Sequence, residues 1–273
     1  MRFGNFCACF FPMALLCNSG CMTNPETGRK ELSLVSSSEE MQLGLASFDK
    51  MKKELPVSHD PAANAIVQKV GRQIASVAKL PNAQWEFVVF ESKEANAFCL
   101  PGGKVGVYTG ILPITRDESG LATVLGHEVA HAVSHHGKER MSEAMALQLG
   151  GDLVDKAAGA YAPKYEQMAT VIYGAGAQVG RALPHSRKQE SEADHIGVLY
   201  MARAGYDPQE AVHFWQRFAD FNRQSNRGGN TLWFLQTHPV DEVRIKQLQD
   251  WMPDAQREYR GPAHSPGSQI SGR

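Results

Sequence analysis

Residues 127–131 read HEVAH, and no other stretch restricts the chain as much. On a helix, two histidines four apart share one face one turn apart, with about 5–6 Å between their Cβ atoms. That spacing lets two imidazole nitrogens reach one zinc ion. Glu128 is rotated by one residue, where it can hold a water at the metal and take its proton. Leu125, Val129 and Val133 lie on another face, so the helix is expected to be buried in the core. Asp117 can cap it, and Gly137, just past His136, is placed as its C-terminal stop. One helical turn that merely carries two histidines needs no further ligand; a metal site does.

The rest of the chain sets bounds on that choice. With 273 residues, 42% of them hydrophobic, a single domain with short extensions can bury a good core. A net charge of −1 leaves no basic field for nucleic acid, and a mean hydropathy of −0.34 argues against a polytopic membrane protein. Four of the five cysteines, Cys7, Cys9, Cys17 and Cys21, crowd the first 21 residues, so they are not a disulfide framework. Residues 1–20 read as a secretory signal, with Ser19 and Gly20 before Cys21 as in a lipoprotein cleavage site. Asn18 stands where an aliphatic residue is usual, which keeps an uncleaved apolar N-terminus open as the alternative. Acyl chains on Cys21 would give stable membrane attachment.

Residues 21–35 are polar and turn-rich and read as a tether. Ser36 or Ser37 with Glu39 or Glu40 forms a capping box opening a helix to about Leu55. A second helix covers about Asp60 to Lys79, a strand covers 85–90, and "NAFCL", "PGGK", "VGVYTG" make a hairpin. Further helices are expected over 188–203 and 208–224 and after "THPVDEVRIKQLQDW" begins, with a disordered tail over 253–273. The apolar run "YEQMATVIYGAGAQVGRALP" is interrupted by Glu166, Gln167, Gln178 and Arg181, so it reads as a buried or amphipathic helix. The sum is a mainly helical α+β domain over 36–252 with a small sheet.

A third metal ligand must come from elsewhere. Ser134 and Gly137 stand where the metzincin pattern needs Gly and His. His135 and His136 sit at the end of the same helix, from which a third ligand cannot easily wrap round the ion. What remains is a carboxylate on another helix: "RKQESEADHIG" offers Glu190, Glu192 and Asp194. Glu190 and Asp194 share a face, so one can ligate while the other orients a histidine; Glu192 points elsewhere.

H-E-x-x-H followed by E-x-E-A-D at 190–194 resembles the HtpX-like and CAAX-prenyl-protease family of zinc endopeptidases. "NAFCLPGGKVGVYTGIL" resembles the family's edge-strand hairpin, and "THPVDEVRI" its C-terminal His-Pro segment. "CMTNPETGRKEL" resembles the mature start of the soluble, LoiP/BepA-like lipoprotein branch of the bacterial periplasm. The resemblance covers about 21–252 and implies a gluzincin fold with one zinc per chain. It implies His127, His131 and Glu190 as ligands, Glu128 as general base and Asp194 as support behind a ligand. It suggests His238 and Arg244 as stabilisers of the tetrahedral intermediate, with His238 swinging onto the zinc as a resting latch being the alternative. Substrate backbone would pair with the edge formed by Asn96, Ala97 and Phe98. The implied activity is hydrolysis of unfolded or misassembled envelope proteins, at the outer membrane through a lipidated Cys21. The competing reading is a scaffold lipoprotein that binds outer-membrane assembly factors.

Overall fold

The computed structural model describes residues 21–155, 186–226, 238 and 242–261. The expected signal segment 1–20, the apolar run 165–184 and most of the "NRGGNT" loop lie outside these residues. No helix among the described residues is long and apolar enough to cross a membrane.

Local chemistry accounts for most helix boundaries. Ser36 and Glu39 close the capping box that opens α1 (Ser37–Glu54), and Asp60 caps α2 (Pro61–Val77) with proline in its first turn. Strands β3 (Glu86–Phe90), β4 (Ala97–Leu100) and β5 (Lys104–Tyr108) form one sheet in the order β3-β5-β4. The β4–β5 pair is the expected antiparallel hairpin, while β3 pairs with β5 in parallel. A short α3 (Leu112–Thr115) leads to α4 (Glu118–Val133), whose N-cap Asp117 accepts from Gly120 N–H. Every residue of α4 from Gly120 to Val133 is buried. It is the axis of the domain: α2, β4, α6 (Arg187–Arg203) and α7 (Gln209–Asn226) all pack on it, and α8 (Glu242–Glu258) packs on α6 and α7. The mainly helical α+β expectation, with the edge hairpin beside the HEVAH helix, is met.

Three expectations change. The HEVAH helix ends at Val133, and α5 (His136–Asp155) starts after Ser134 and His135 and runs straight through Gly137. His135 makes the break instead, at φ +49°, with its ring 2.8 Å from buried Glu40. That contact holds a conformation costly for any residue with a Cβ.

The segment expected as a tether is folded. β1 (Cys21–Thr23) pairs antiparallel with β2 (Lys30–Leu32), and Asn24 and Glu31 between and within them are buried. A two-stranded ribbon is marginal alone; this one is docked through Arg29, which pairs with Glu31, Glu139 and Glu192.

The boundary expected at 253 falls inside a helix. α8 carries Pro253 inside it and continues to Glu258, because Met252 and Ala255 on either side are buried in the core.

Candidate metal centre

Two helices supply most of the centre, and paired glycines set how close they come. A Cβ on Gly126 would meet the Gly197 carbonyl oxygen at 2.8 Å, and one on Gly197 would meet the His127 backbone nitrogen at 2.9 Å. Backbone therefore touches backbone where α4 crosses α6. His127 follows Gly126, and Asp194 lies one turn before Gly197, so the crossing fixes histidines against carboxylates. The sequence signal was present as a glycine beside each motif; the pairing was not.

His127, His131, Glu190 and His238 offer ligand atoms that all lie within 4.8 Å of one another, and all four residues are buried. His131 Nε2 is 3.0 Å from His127 Nε2, which is 3.1 Å from His238 Nδ1. Glu190 Oε1 lies 3.2 Å from His131 Nε2 and 2.9 Å from His238 Nδ1. Two buried carboxylate oxygens in and beside this cluster lack a hydrogen-bond donor. Glu190 Oε2 has no hydrogen-bond partner, although Arg244 Nη1 stands 3.1 Å away as an ion pair, and Glu128 Oε1 has none either. Two imidazoles and a carboxylate are a zinc donor set, so the residues present fit the ion.

Electrostatics agree with a cation site. Burial raises the Glu190 carboxyl, but His238, Arg244 and His127 together hold it well below the usual carboxylate range. Burial resists charge on His127, yet Glu190 and Asp194 outweigh it and lift the imidazole to about 9. Metal loading must displace that proton. Burial, joined by the charges of His127 and His136, keeps His131 well below the ordinary histidine range against the pull of Glu190. Burial also raises Glu128, against the pull of His238 and His127.

Asp194 and Arg244 stand behind the cluster. Asp194 Oδ1 is 2.9 Å from His127 Nδ1. Arg244 grips Asp194 bidentately, Nε at 2.6 Å and Nη2 at 2.8 Å, and its guanidinium lies 3.5 Å above the Trp215 ring. Burial notwithstanding, Arg244 and His127 keep the Asp194 carboxyl below its ordinary value. The guanidinium expected to serve the reaction intermediate is thus engaged by two carboxylates.

β4 lies at the sheet edge, paired with β5 only among the described residues. Phe98 is half-buried and packs its ring over Gly106 and against Phe48, Phe90 and Tyr108. Ala97 is buried. Asn96 is fully buried, and neither Nδ2 nor Oδ1 has a hydrogen-bond partner. A cavity of 730 Å³ opens elsewhere, between Met22, Glu40, Pro101, Ala132 and His135, and none of the four cluster residues lines it. Donor convergence, not cavity size, marks the chemistry here.

Residues 61–252 match the model of peptidase family M48. The chain belongs to that family. The cofactor of M48 metallopeptidases is zinc, in accord with the donor set. The chain is 39% identical over 183 residues to the mitochondrial metalloendopeptidase OMA1 of Saccharomyces cerevisiae, covering 66% of this chain and 50% of that one. It is 33% identical to OMA1 of Schizosaccharomyces pombe, over 85% of this chain and 66% of that protein. It is 28% identical to the beta-barrel assembly-enhancing protease of Escherichia coli, over 82% of this chain and 46% of that one. This M48 chain therefore spans about half to two thirds of the length of these relatives.

Proposed function

We propose that this M48 chain is a zinc-dependent endopeptidase acting on unfolded or misassembled proteins of the bacterial envelope. The observation that carries the chemistry is the convergence of His127, His131 and Glu190 beside buried Glu128, whose Oε1 is unbonded. The two histidines and Glu190 would hold the ion in the gluzincin manner. Bound zinc supplies Lewis acidity that makes water nucleophilic near neutral pH and polarises the scissile carbonyl. Glu128 takes the proton of the attacking water and passes it to the leaving amine, a task suited by its raised proton affinity. Asp194 accepts Nδ1–H of His127 and fixes its tautomer, while Arg244 holds Asp194 and Glu190 in place. Of His238 and Arg244, His238 is the better oxyanion donor, because the Arg244 fork is committed to carboxylates.

Substrate would add as a strand along Asn96–Leu100, with the unbonded Asn96 amide turned to its main chain. Backbone pairing gives affinity with little side-chain selectivity, which suits unfolded polypeptides. The name of the Escherichia coli relative supports an envelope role, and the small residues before Cys21 support lipidation there and outer-membrane anchoring in the periplasm. Cys21→Ser should then leave the membrane fraction. The OMA1 relatives are mitochondrial by name, so equal membrane recovery of that variant would count against the lipoprotein reading.

One observation favours a second reading. His238 Nδ1 stands inside the cluster, and four protein donors close a zinc site. A closed set suits a scaffold for outer-membrane assembly whose proteolysis is latent. His238→Ala separates the two: more cleavage supports the latch, and loss of cleavage with zinc retained supports the oxyanion role. Unchanged cleavage removes both.

The test of the main reading is an unfolded protein incubated with wild type and Glu128→Gln, zinc content measured on both. Cleavage by wild type alone, at equal zinc, is the expected result. Cleavage by both would remove Glu128 as the base.

A further inference from the structure

Glu192 sits between Glu190 and Asp194 in sequence but faces away from the cluster, into the docked N-terminal ribbon. Its Oε1 accepts from Asn24 Nδ2 at 3.0 Å and from the Thr27 hydroxyl at 2.5 Å. Its Oε2 accepts from Arg29 Nε at 2.8 Å and lies 3.0 Å from His136 Nε2. His136 is fully buried, and its other nitrogen, Nδ1, is 2.8 Å from Nδ1 of His131. The ribbon, Glu192, His136 and a cluster histidine thus form one continuous chain of contacts.

Proton placement along that chain has two solutions, and only one leaves His131 able to bind a cation. His131 turns Nε2 to the cluster, where it lies 3.0 Å from His127 Nε2 and 3.2 Å from Glu190 Oε1. For that lone pair to be free, a neutral His131 must carry its proton on Nδ1. His136 Nδ1 then accepts, so the His136 proton sits on Nε2 and is donated to Glu192. The reverse arrangement puts a proton on His131 Nε2, in the metal position, and turns a bare His136 nitrogen towards a carboxylate. The negative charge of Glu192 disfavours it.

We propose that Glu192 and His136 are positioning residues that hold His131 in its metal-ready tautomer, and that the N-terminal ribbon sustains this through Asn24, Thr27 and Arg29. The inference rests on His131 being a zinc ligand. His127 receives the same service from Asp194 at 2.9 Å, so each histidine of the HEVAH turn has its own carboxylate, one direct and one through an imidazole. Asn24 also bonds Ser134 at 2.9 Å, at the helix end that carries His131, which ties the ribbon to the ligand helix. Removing the ribbon's grip therefore loosens a metal ligand without touching the metal.

The experiment measures zinc affinity of the full chain by competition with a chelating dye, for wild type, Glu192→Ala, Glu192→Gln and Arg29→Ala. Thermal unfolding of each metal-free form controls for folding, and nitrogen NMR of labelled imidazoles reads the His131 tautomer. Glu192→Ala should bind zinc about 10–100-fold more weakly. Glu192→Gln should recover part of the loss, because its carbonyl still accepts from His136 Nε2–H. Arg29→Ala, which touches neither imidazole, should show a smaller loss in the same direction and carries the test should Glu192→Ala fail to fold. Folded variants that bind as tightly as wild type overturn the proposal, as does weaker binding with the His131 tautomer unchanged. A wild type that binds no zinc overturns the metal centre itself.

Discussion

Helix α6 divides two buried ionic networks that look alike in composition and differ in how they are satisfied. On one face Glu190 and Asp194 meet His127, His131, His238 and Arg244. On the other, Glu192 meets Asn24, Thr27, Arg29 and His136, with Glu139 beside it. The ribbon side is closed: Glu192 has four partners, and Glu139 accepts from both Arg29 Nη atoms and from Gln189. The cluster side is open, with unbonded oxygens on Glu128 and Glu190. Buried polar groups are normally paired, so a structural network looks like the first, and a surplus of acceptors marks a place for a cation.

The largest way to break the contrast is to remove the cation site. His131→Ala and Glu190→Ala should each lose most of the one zinc expected per chain, read by metal analysis after dialysis. Saturating zinc should also raise the unfolding temperature of wild type and not of these variants. At a hundred times its dissociation constant, zinc is worth about 2.7 kcal/mol to the folded state. Full zinc retention in Glu190→Ala would remove Glu190 from the ligand set.

Next in size is the helix crossing that sets both networks. Gly→Ala in a helix interior ordinarily stabilises, by about 1 kcal/mol. Gly126→Ala should do the reverse, by about 3 kcal/mol, since its Cβ would meet backbone at 2.8 Å and neither helix can yield cheaply. Denaturant unfolding of the metal-free variant reads the sign directly. A stabilised variant would mean that the helices do not approach as closely as drawn.

What the sequence disclosed was local. HEVAH, the Asp117 cap, the Ser36–Glu39 box and the 190/194 spacing are all decided within one or two helical turns, and each is met in the fold. What it concealed was distant in the chain. Asn24 finds Ser134 and Glu192, 110 and 168 positions away, so a polar ribbon read as a solvated tether. The parallel β3–β5 pairing and the Gly126–Gly197 contact are likewise products of tertiary assembly. Gly137 failed as a helix stop because the break was made by His135 against Glu40, a contact no local rule contains. His238 was read as an oxyanion donor, with a latch on the zinc as the alternative, and its Nδ1 stands among the expected ligands.

The ribbon network offers a smaller effect. Arg29→Ala should destabilise the metal-free protein by about 1–2 kcal/mol, the scale of hydrogen bonds to charged groups. Its side chain is 15% exposed, which keeps the loss below that of a fully buried pair. An unchanged unfolding midpoint would mean that the ribbon is held by something other than Arg29.

The smallest effect is also the one that tells a satisfied network from an open one by pH. Burial raises the Glu139 carboxyl, but hydrogen bonds from Arg29 and Gln189 overcome it and hold the group below its ordinary value of 4.5. A carboxyl depressed in the folded state contributes stability above its unfolded value and loses it as pH falls through the folded one. Glu139→Gln should therefore unfold at a lower temperature than wild type at pH 7, with chelator present to exclude metal-linked protons. Below about pH 4.5 the gap should shrink, because protonation removes from wild type the charge the variant already lacks. A gap that stays constant, or widens on acidification, would show that Glu139 is not held ionised by Arg29, and the ribbon side would then not be the satisfied partner in the comparison.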